Sequence, residues 1–269
     1  MPFFGVHDGE RGSTPEELFR SIPPVSKFLI CSMVASMLSY LVGIPRDRGF
    51  LIWSLVWNKF QIWRLVTCFF YPGAPSLHAL WAIYATGMYS MRYEKDGFST
   101  GGGGGRADFV FMLLFGNVVT VAIMLLLFFR PLMVLHTVML FYIAYVWSRK
   151  NPNSSVSIWG ILIKTPYIPW VMLILEWFST RDLFYPLIGI AVGHMYYFLV
   201  DVLPDLHGID LLKTPTFLIR WLGWGSEGSG IYMSAPMTGV PRPRRDPPGS
   251  GNPRSGRRSW GAGRPLGSS

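Results

Sequence analysis

Charged residues are scarce in this chain. They make up 14% of its 269 residues, whereas hydrophobic residues make up 50%. A soluble domain usually carries about a quarter of its residues as charged side chains. Apolar stretches on this scale cannot all be buried in one aqueous core, so the composition argues against an ordinary soluble domain and indicates that lipid is the solvent.

Cysteine is also scarce, with Cys31 and Cys68 as the two examples. Two thiols do not make a disulfide framework, and no spacing typical of metal ligands is present. We therefore expect no metal and no cofactor, and we expect both cysteines to be packing residues.

Residues 1–24 lack the apolar core of a cleavable signal peptide, so the first apolar run is expected to be a retained anchor. Within this segment, which is predicted to be cytosolic, Thr14 precedes Pro15, Glu16 and Glu17. A capping threonine, an early proline and acids in the first turn are typical of a helix start. They predict a short amphipathic helix on the membrane surface.

Six apolar segments predict an all-α membrane protein with six transmembrane helices between residues 25 and 205. The segments are 25–44, 77–93, 109–129, 132–147, 167–178 and 183–203. A span needs roughly 20 apolar residues, so the short fifth segment must tilt little, recruit flanking residues or lie in thin bilayer. Basic residues are more frequent on the face that contains both termini, which favours a cytosolic position for the termini. This excess is modest when the tail is left out.

The regions between and after the apolar segments differ in amino-acid composition. Loop 1, residues 45–76, is rich in aromatic residues and predicts a re-entrant or interfacial segment. Gly101–Gly105 is a run of glycines typical of a flexible linker. Residues 206–224 form a post-membrane segment, and residues 225–269 predict a disordered cytosolic tail of glycine, proline, serine and arginine.

Five positions in or near the spans suggest structural roles. Trp63 and Arg64 lie in loop 1, where the arginine either clamps the loop against the spans or anchors it at the interface. Gly189 and Gly193 remove side chains from one helix face, so another helix can approach closely. His194 follows Gly193, and we interpret it as a packing residue in preference to a proton-handling or catalytic group.

An intramembrane hydrolase needs a nucleophile and a base within hydrogen-bond reach. The fourth segment contains no Gly-x-Ser-Gly near its start, where it reads His136-Thr137, and no serine occurs before Ser148 at its far end. Glu176 stands beside Trp177 near the end of the fifth segment and is expected to snorkel to the interface. These observations predict a protein that is not an enzyme.

The last ten residues differ from the rest of the tail because they contain an aromatic residue and a leucine between glycines. Such a peptide can add to a sheet edge while pockets take its anchors. Chance composition is the alternative, and nucleic-acid binding is disfavoured because a single aromatic accompanies the arginines. The predicted docking residues are Trp260, Gly261, Gly263, Leu266 and Gly267.

Taken together, these pieces resemble the derlin family, the rhomboid-like pseudoproteases of the endoplasmic reticulum. The resemblance runs from about Phe19 to Trp224 and returns in the last ten residues. It is carried by Arg20-Ser-Ile-Pro-Pro, Gln61-Ile-Trp-Arg-Leu-Val-Thr, Ala107-Asp-Phe-Val-Phe-Met-Leu-Leu-Phe, Tyr167-Ile-Pro-Trp-Val, Gly189-Ile-Ala-Val-Gly-His and Lys213-Thr-Pro-Thr-Phe-Leu-Ile-Arg-Trp-Leu.

The resemblance implies a rhomboid-like fold in which Trp63-Arg64 and Gly189/Gly193 are structural motifs. Active rhomboids carry their histidine three residues before the first such glycine, where this chain has Pro186. The resemblance also implies that the box at residues 260–267 binds a hexameric AAA+ segregase ATPase. Pro265, at a variable position of the box, removes one backbone donor.

The function implied by the resemblance is non-catalytic work in ER-associated degradation, with a link to the unfolded protein response. The chain would lie in the endoplasmic reticulum membrane and aid retrotranslocation of misfolded clients. A membrane ubiquitin ligase complex would be a further partner. The resemblance does not decide whether the chain forms a homo-oligomer. The alternatives are an active intramembrane rhomboid protease and a small-solute transporter, although no internal repeat relates residues 25–130 to 131–205.

Overall fold

A computed structural model describes residues 15–43, 49–96, 105–128, 134–158, 160–207 and 211–221. All of them belong to one unit, Met1–Met233. The second unit, Ser234–Ser269, lies outside the described residues. The predicted docking box in the tail and Gly101–Gly104 of the predicted linker therefore also lie outside them.

The described chain is mostly helical. Its helices are α1 (Pro15–Ser21), α2 (Pro24–Leu41), α3 (Trp53–Lys59), α4 (Arg64–Thr67), α5 (Leu77–Asp96), α6 (Gly105–Ile123), α7 (His136–Lys150), α8 (Ile168–Thr180), α9 (Phe184–Tyr197), α10 (Leu203–His207) and α11 (Thr216–Trp221). A π-helical stretch, Met124–Phe128, extends α6, and another, Phe198–Val202, joins α9 to α10. A 3-10 turn, Thr165–Tyr167, leads into α8.

Each of the six predicted apolar segments overlaps one of these helices: α2, α5, α6, α7, α8 or α9. Within the described ranges, three stretches are long and apolar enough to cross a membrane, namely Pro24–Leu41, Arg106–Leu126 and Phe184–His207. The helical membrane class therefore stands, whereas the count of six spans stays a prediction.

The central helix of the bundle is α7. All of its 15 residues except Arg149 are buried. It packs most extensively against α9 and also contacts α5, α6 and α8, while α2 packs on α5. A helix that is buried on every side is typical of the core of a large protein, and α7 is the element on which the other helices are arranged.

The amino end of α2 is capped by a residue from another helix. Glu94, near the end of α5, accepts hydrogen bonds from Val25 N at 3.2 Å, Ser26 N at 2.9 Å and Ser26 Oγ at 2.8 Å. The first N–H groups of a helix have no partner within it, and a carboxylate also complements the helix dipole there. Glu94 therefore fixes the start of α2 on α5.

The all-α prediction needs one correction, because the segment between α7 and α8 forms a β-hairpin. Strand β1 (Ser155–Ile158) pairs antiparallel with β2 (Ile161–Lys164), and Ile158 lies opposite Ile161. Gly160 in the connection has φ +85°, a left-handed conformation that glycine adopts without steric cost. Branched apolar residues alternate with serines in β1, a pattern that favours a strand.

Candidate functional site

Loop 1 folds into the two short helices α3 and α4, and Arg64 ties them to the preceding chain. The Arg64 side chain is 3% exposed. Its Nη1 donates to the carbonyl oxygen of Phe50 at 2.9 Å, and its Nε donates to Gln61 Oε1 at 2.6 Å. Arg64 thus binds the backbone and a side chain of its own loop, whereas the neighbouring Trp63 ring is largely exposed.

The residue that follows α4 is hydrogen-bonded to the residue that precedes α7. The backbone N–H of Leu135 donates to the carbonyl oxygen of Cys68 at 2.9 Å. Cys68 is buried, and this burial raises the pKa of its thiol to about 12 although a backbone hydrogen bond acts in the opposite direction. The thiol therefore stays protonated at neutral pH, as expected of a packing residue.

Gly189 and Gly193 face α7, the helix against which α9 packs most extensively. A Cβ atom added at Gly189 would lie 2.6 Å from the backbone oxygen of Val138 and 2.8 Å from Phe141 Cβ. A Cβ atom added at Gly193 would lie 2.9 Å from Tyr145 Cδ1. The two helices approach so closely that only a residue without a side chain fits at these positions.

His194 links α9 to α7 through a tyrosine. The hydroxyl of Tyr145 lies 2.8 Å from His194 Nδ1, and Arg149 Nε donates to the same hydroxyl at 3.1 Å. Because the hydroxyl accepts from the arginine, its own proton is available to His194 Nδ1. The histidine thus forms part of a polar link between two helices.

Pro186 and the start of α7 are the positions at which the sequence resemblance implies that a rhomboid would carry its catalytic residues. Pro186 is buried in the first turn of α9. At the start of α7, Thr137 Oγ1 lies 3.2 Å from His136 Nε2, but these residues are neighbours in sequence and both are at most 8% exposed. A substrate would have to enter the packed bundle to reach this hydroxyl.

Sequence reasoning missed a polar cluster formed by three helices. His78 at the start of α5 places its Nε2 3.1 Å and 3.3 Å from the two carboxylate oxygens of Glu176 on α8. The His78 and His136 rings pack edge to face, with centroids 6.4 Å apart. The snorkelling prediction for Glu176 is wrong, because its side chain is buried and bonded within the bundle.

This cluster had no local signature, since His78 and Glu176 are 98 residues apart in the sequence. In the part of the chain that the structure describes, no group of three or more His, Cys, Asp or Glu side chains is placed to hold a metal ion. The cluster instead places hydrogen-bonding side chains inside the apolar bundle, at the end where α5 and α7 begin.

Two polar pairs link the carboxyl end of α7 to neighbouring helices. Trp147 Nε1 donates to Asp96 Oδ2 at 2.9 Å, which joins α7 to the end of α5. Lys150 Nζ lies 3.2 Å from Asp201 Oδ1, in the π-helical stretch after α9. The carboxyl ends of α5 and α7 therefore lie on the same side of the bundle.

Two sequence segments that carry the family resemblance meet in the structure. The hydroxyl of Thr214, just before α11, donates to the Asp108 carboxylate in the first turn of α6. Both residues are buried, as is Leu218 within α11. The chain that follows the membrane region is therefore packed on α6 through Thr214 and α11.

The described helices and their exposed apolar faces define a multi-pass helical membrane protein. The Der1-like family matches residues 22–216 of the chain, and the chain belongs to this family. It is 34% identical to Derlin-1 from Homo sapiens over 255 residues, which cover 93% of this chain and 96% of that protein.

Relatives from distant organisms show comparable similarity. Derlin-1.1 from Zea mays is 31% identical over 247 residues, which cover 91% of this chain and 95% of that protein. The probable derlin-2 homolog from Dictyostelium discoideum is 33% identical over 209 residues, which cover 76% of this chain and 81% of that protein. Family membership supports a role in processes of ER-associated degradation and is consistent with a non-enzyme.

Proposed function

We propose that the chain is a non-catalytic component of ER-associated degradation that aids the retrotranslocation of misfolded proteins. It would lie in the endoplasmic reticulum membrane with six spans, a rhomboid-like arrangement and both termini in the cytosol. A membrane ubiquitin ligase complex would modify the clients. The single observation that carries this proposal is membership of the Der1-like family over residues 22–216.

The absence of a hydrolytic role is supported by the residues at the expected catalytic positions. Pro186 offers no base, and Thr137 and His136 are buried side by side at the start of α7. General-base catalysis requires a nucleophile that the substrate carbonyl can reach. We therefore assign these residues to packing and hydrogen bonding in the bundle.

The membrane domain would help polar client segments to cross by thinning the bilayer. Helix α8 has 13 residues, about 20 Å at 1.5 Å per residue, whereas the hydrocarbon core is about 30 Å thick. A span of this length favours local thinning. The cluster of His78, His136 and Glu176 adds hydrogen-bonding groups to the interior. Unchanged bilayer thickness around the reconstituted protein would remove this part of the proposal.

The tail would supply the force by holding the hexameric AAA+ segregase ATPase next to the membrane domain. The box formed by Trp260, Gly261, Gly263, Leu266 and Gly267 would dock as an extended peptide, with the tryptophan and leucine as anchors. Because the box and the membrane domain belong to one chain, the ATPase is kept at a high effective concentration near the exit site.

The test of this assignment is capture of the ATPase from detergent extracts by the full chain and by a chain that ends at Ser259. We expect the full chain to retain the ATPase and the shortened chain to lose it. Trp260→Ala should lose most of the binding because it removes the aromatic anchor, whereas Ser259→Ala is the matched control and should bind normally. Equal capture by all four chains would overturn the proposed role of the box.

A further inference from the structure

The hairpin formed by β1 and β2 is fixed to the helix bundle at one end. Val156 is buried in the core, and its register partner Ile163 is half-buried against it. The base is closed by Thr165, whose N–H and hydroxyl both donate to the carbonyl oxygen of Ser154, at 3.0 Å and 2.7 Å. The hairpin therefore has a defined position at the side of the bundle where α7 ends and α8 begins.

The tip of the hairpin exposes large aliphatic side chains. Ile161 is 67% exposed and Leu162 is 77% exposed, and successive residues of a strand point to opposite faces. Two-stranded hairpins are marginal in water, and exposed apolar residues on both faces are unfavourable there. The same side chains are favourable in an environment that is partly apolar.

The length of α8 sets the depth at which the hairpin meets the membrane. The carboxyl end of α8 carries Trp177 and Arg181, with the guanidinium 5.7 Å from the ring centroid, a pair typical of the membrane interface. A helix of about 20 Å is shorter than the hydrocarbon core, so a bilayer that thins around α8 brings both ends of this helix to a headgroup layer. The hairpin precedes α8 and therefore lies at the headgroup level at the opposite end of the helix from Trp177 and Arg181.

The charge of this segment matches an anionic lipid surface. Residues 151–175 contain no aspartate or glutamate. Lys164 at the base of the hairpin is exposed, and Arg149 lies in the last turn of α7, which precedes the hairpin in the chain. Basic residues next to a membrane helix are attracted to anionic headgroups.

We propose that the β1–β2 hairpin is a membrane-docking element whose partner is an anionic bilayer surface. Ile161 and Leu162 enter the headgroup region of the adjacent leaflet, and Lys164 contacts lipid phosphates. The hairpin remains at this level because the outer edges of its two strands carry backbone groups that cannot be left unpaired in hydrocarbon.

The test uses the full chain in vesicles, with Cys31→Ser to remove the exposed thiol and with buried Cys68 retained. A fluorescent NBD label is placed at Leu162→Cys in one sample and at Lys95→Cys in another. Lys95 is exposed in the last turn of α5, on the same side of the bundle. Quenchers are a lipid with a nitroxide near its carbonyl groups and iodide in the aqueous phase.

We expect the nitroxide lipid to quench the label at position 162 several-fold more than the label at position 95, with the reverse order for iodide. Phosphatidylserine should increase lipid quenching at position 162, and Lys164→Ser should lower that increase by about fivefold. Iodide quenching at position 162 equal to that at position 95 would overturn the proposal and leave the tip as a surface for a protein partner. The vesicles contain neither client nor ATPase, so the result is independent of the proposed role in degradation.

Discussion

Gly189→Val should lower the free energy of unfolding by about 3 kcal/mol, the upper end of the usual cost of overpacking a core. The new Cβ would lie 2.6 Å from the carbonyl oxygen of Val138. This oxygen belongs to the backbone of the central helix and cannot rotate away as a side chain can. The helices must therefore separate, which also weakens the link between Tyr145 and His194.

Thermal unfolding of the purified protein in detergent measures this effect. A loss of about 3 kcal/mol corresponds to a decrease in Tm of roughly 6–12 °C for a chain of this size. The matched control is Ala191→Val, which adds the same side chain to an exposed position of the same helix. Surface substitutions of this kind usually change stability by less than about 0.5 kcal/mol. Equal Tm values for the two variants would contradict the close contact between α7 and α9.

Glu94→Ala should release the amino end of α2 and cost about 3 kcal/mol or more, because hydrogen bonds to charged groups each contribute about 1.5–3 kcal/mol. The carboxylate accepts three hydrogen bonds from Val25 and Ser26, and all three residues are buried. Alanine would leave two backbone donors without their partner at the start of a helix.

Hydrogen–deuterium exchange of the amides of Val25 and Ser26 detects this release directly. We expect both amides to exchange faster in Glu94→Ala, and we expect Glu94→Gln to fall between it and the wild type because one carbonyl oxygen remains as an acceptor. Lys95→Ala changes the exposed neighbour and serves as the control. Unchanged exchange at Val25 and Ser26 in Glu94→Ala would show that the cap does not form.

Local patterns in the sequence predicted a substantial part of this fold. Each apolar segment overlaps a helix because its hydrophobicity and length are local properties. The spacing of Gly189 and Gly193 indicated a close helix contact. It could not identify the partner, because Val138 and Phe141 belong to a helix about 50 residues earlier and nothing local encodes that pairing.

The sequence did not predict features that depend on residues far apart in the chain. It also did not predict features for which a short local pattern fits two structures equally well. Glu94 stands next to Lys95 at the end of an apolar segment, where a solvated carboxylate is the simpler interpretation. Its contact with Val25 and Ser26 arises from the packing of α2 on α5. The hairpin alternates over four residues a strand, too short a pattern to distinguish from a loop between helices.

The central claim is that a membrane domain without catalytic activity delivers clients to a motor held by the tail. The most direct test is the half-life of a misfolded luminal protein in cells whose own copy is replaced by the full chain or by a chain ending at Ser259. The account predicts rapid client turnover with the full chain and slow turnover with the shortened one. Equally rapid turnover with the shortened chain would contradict it.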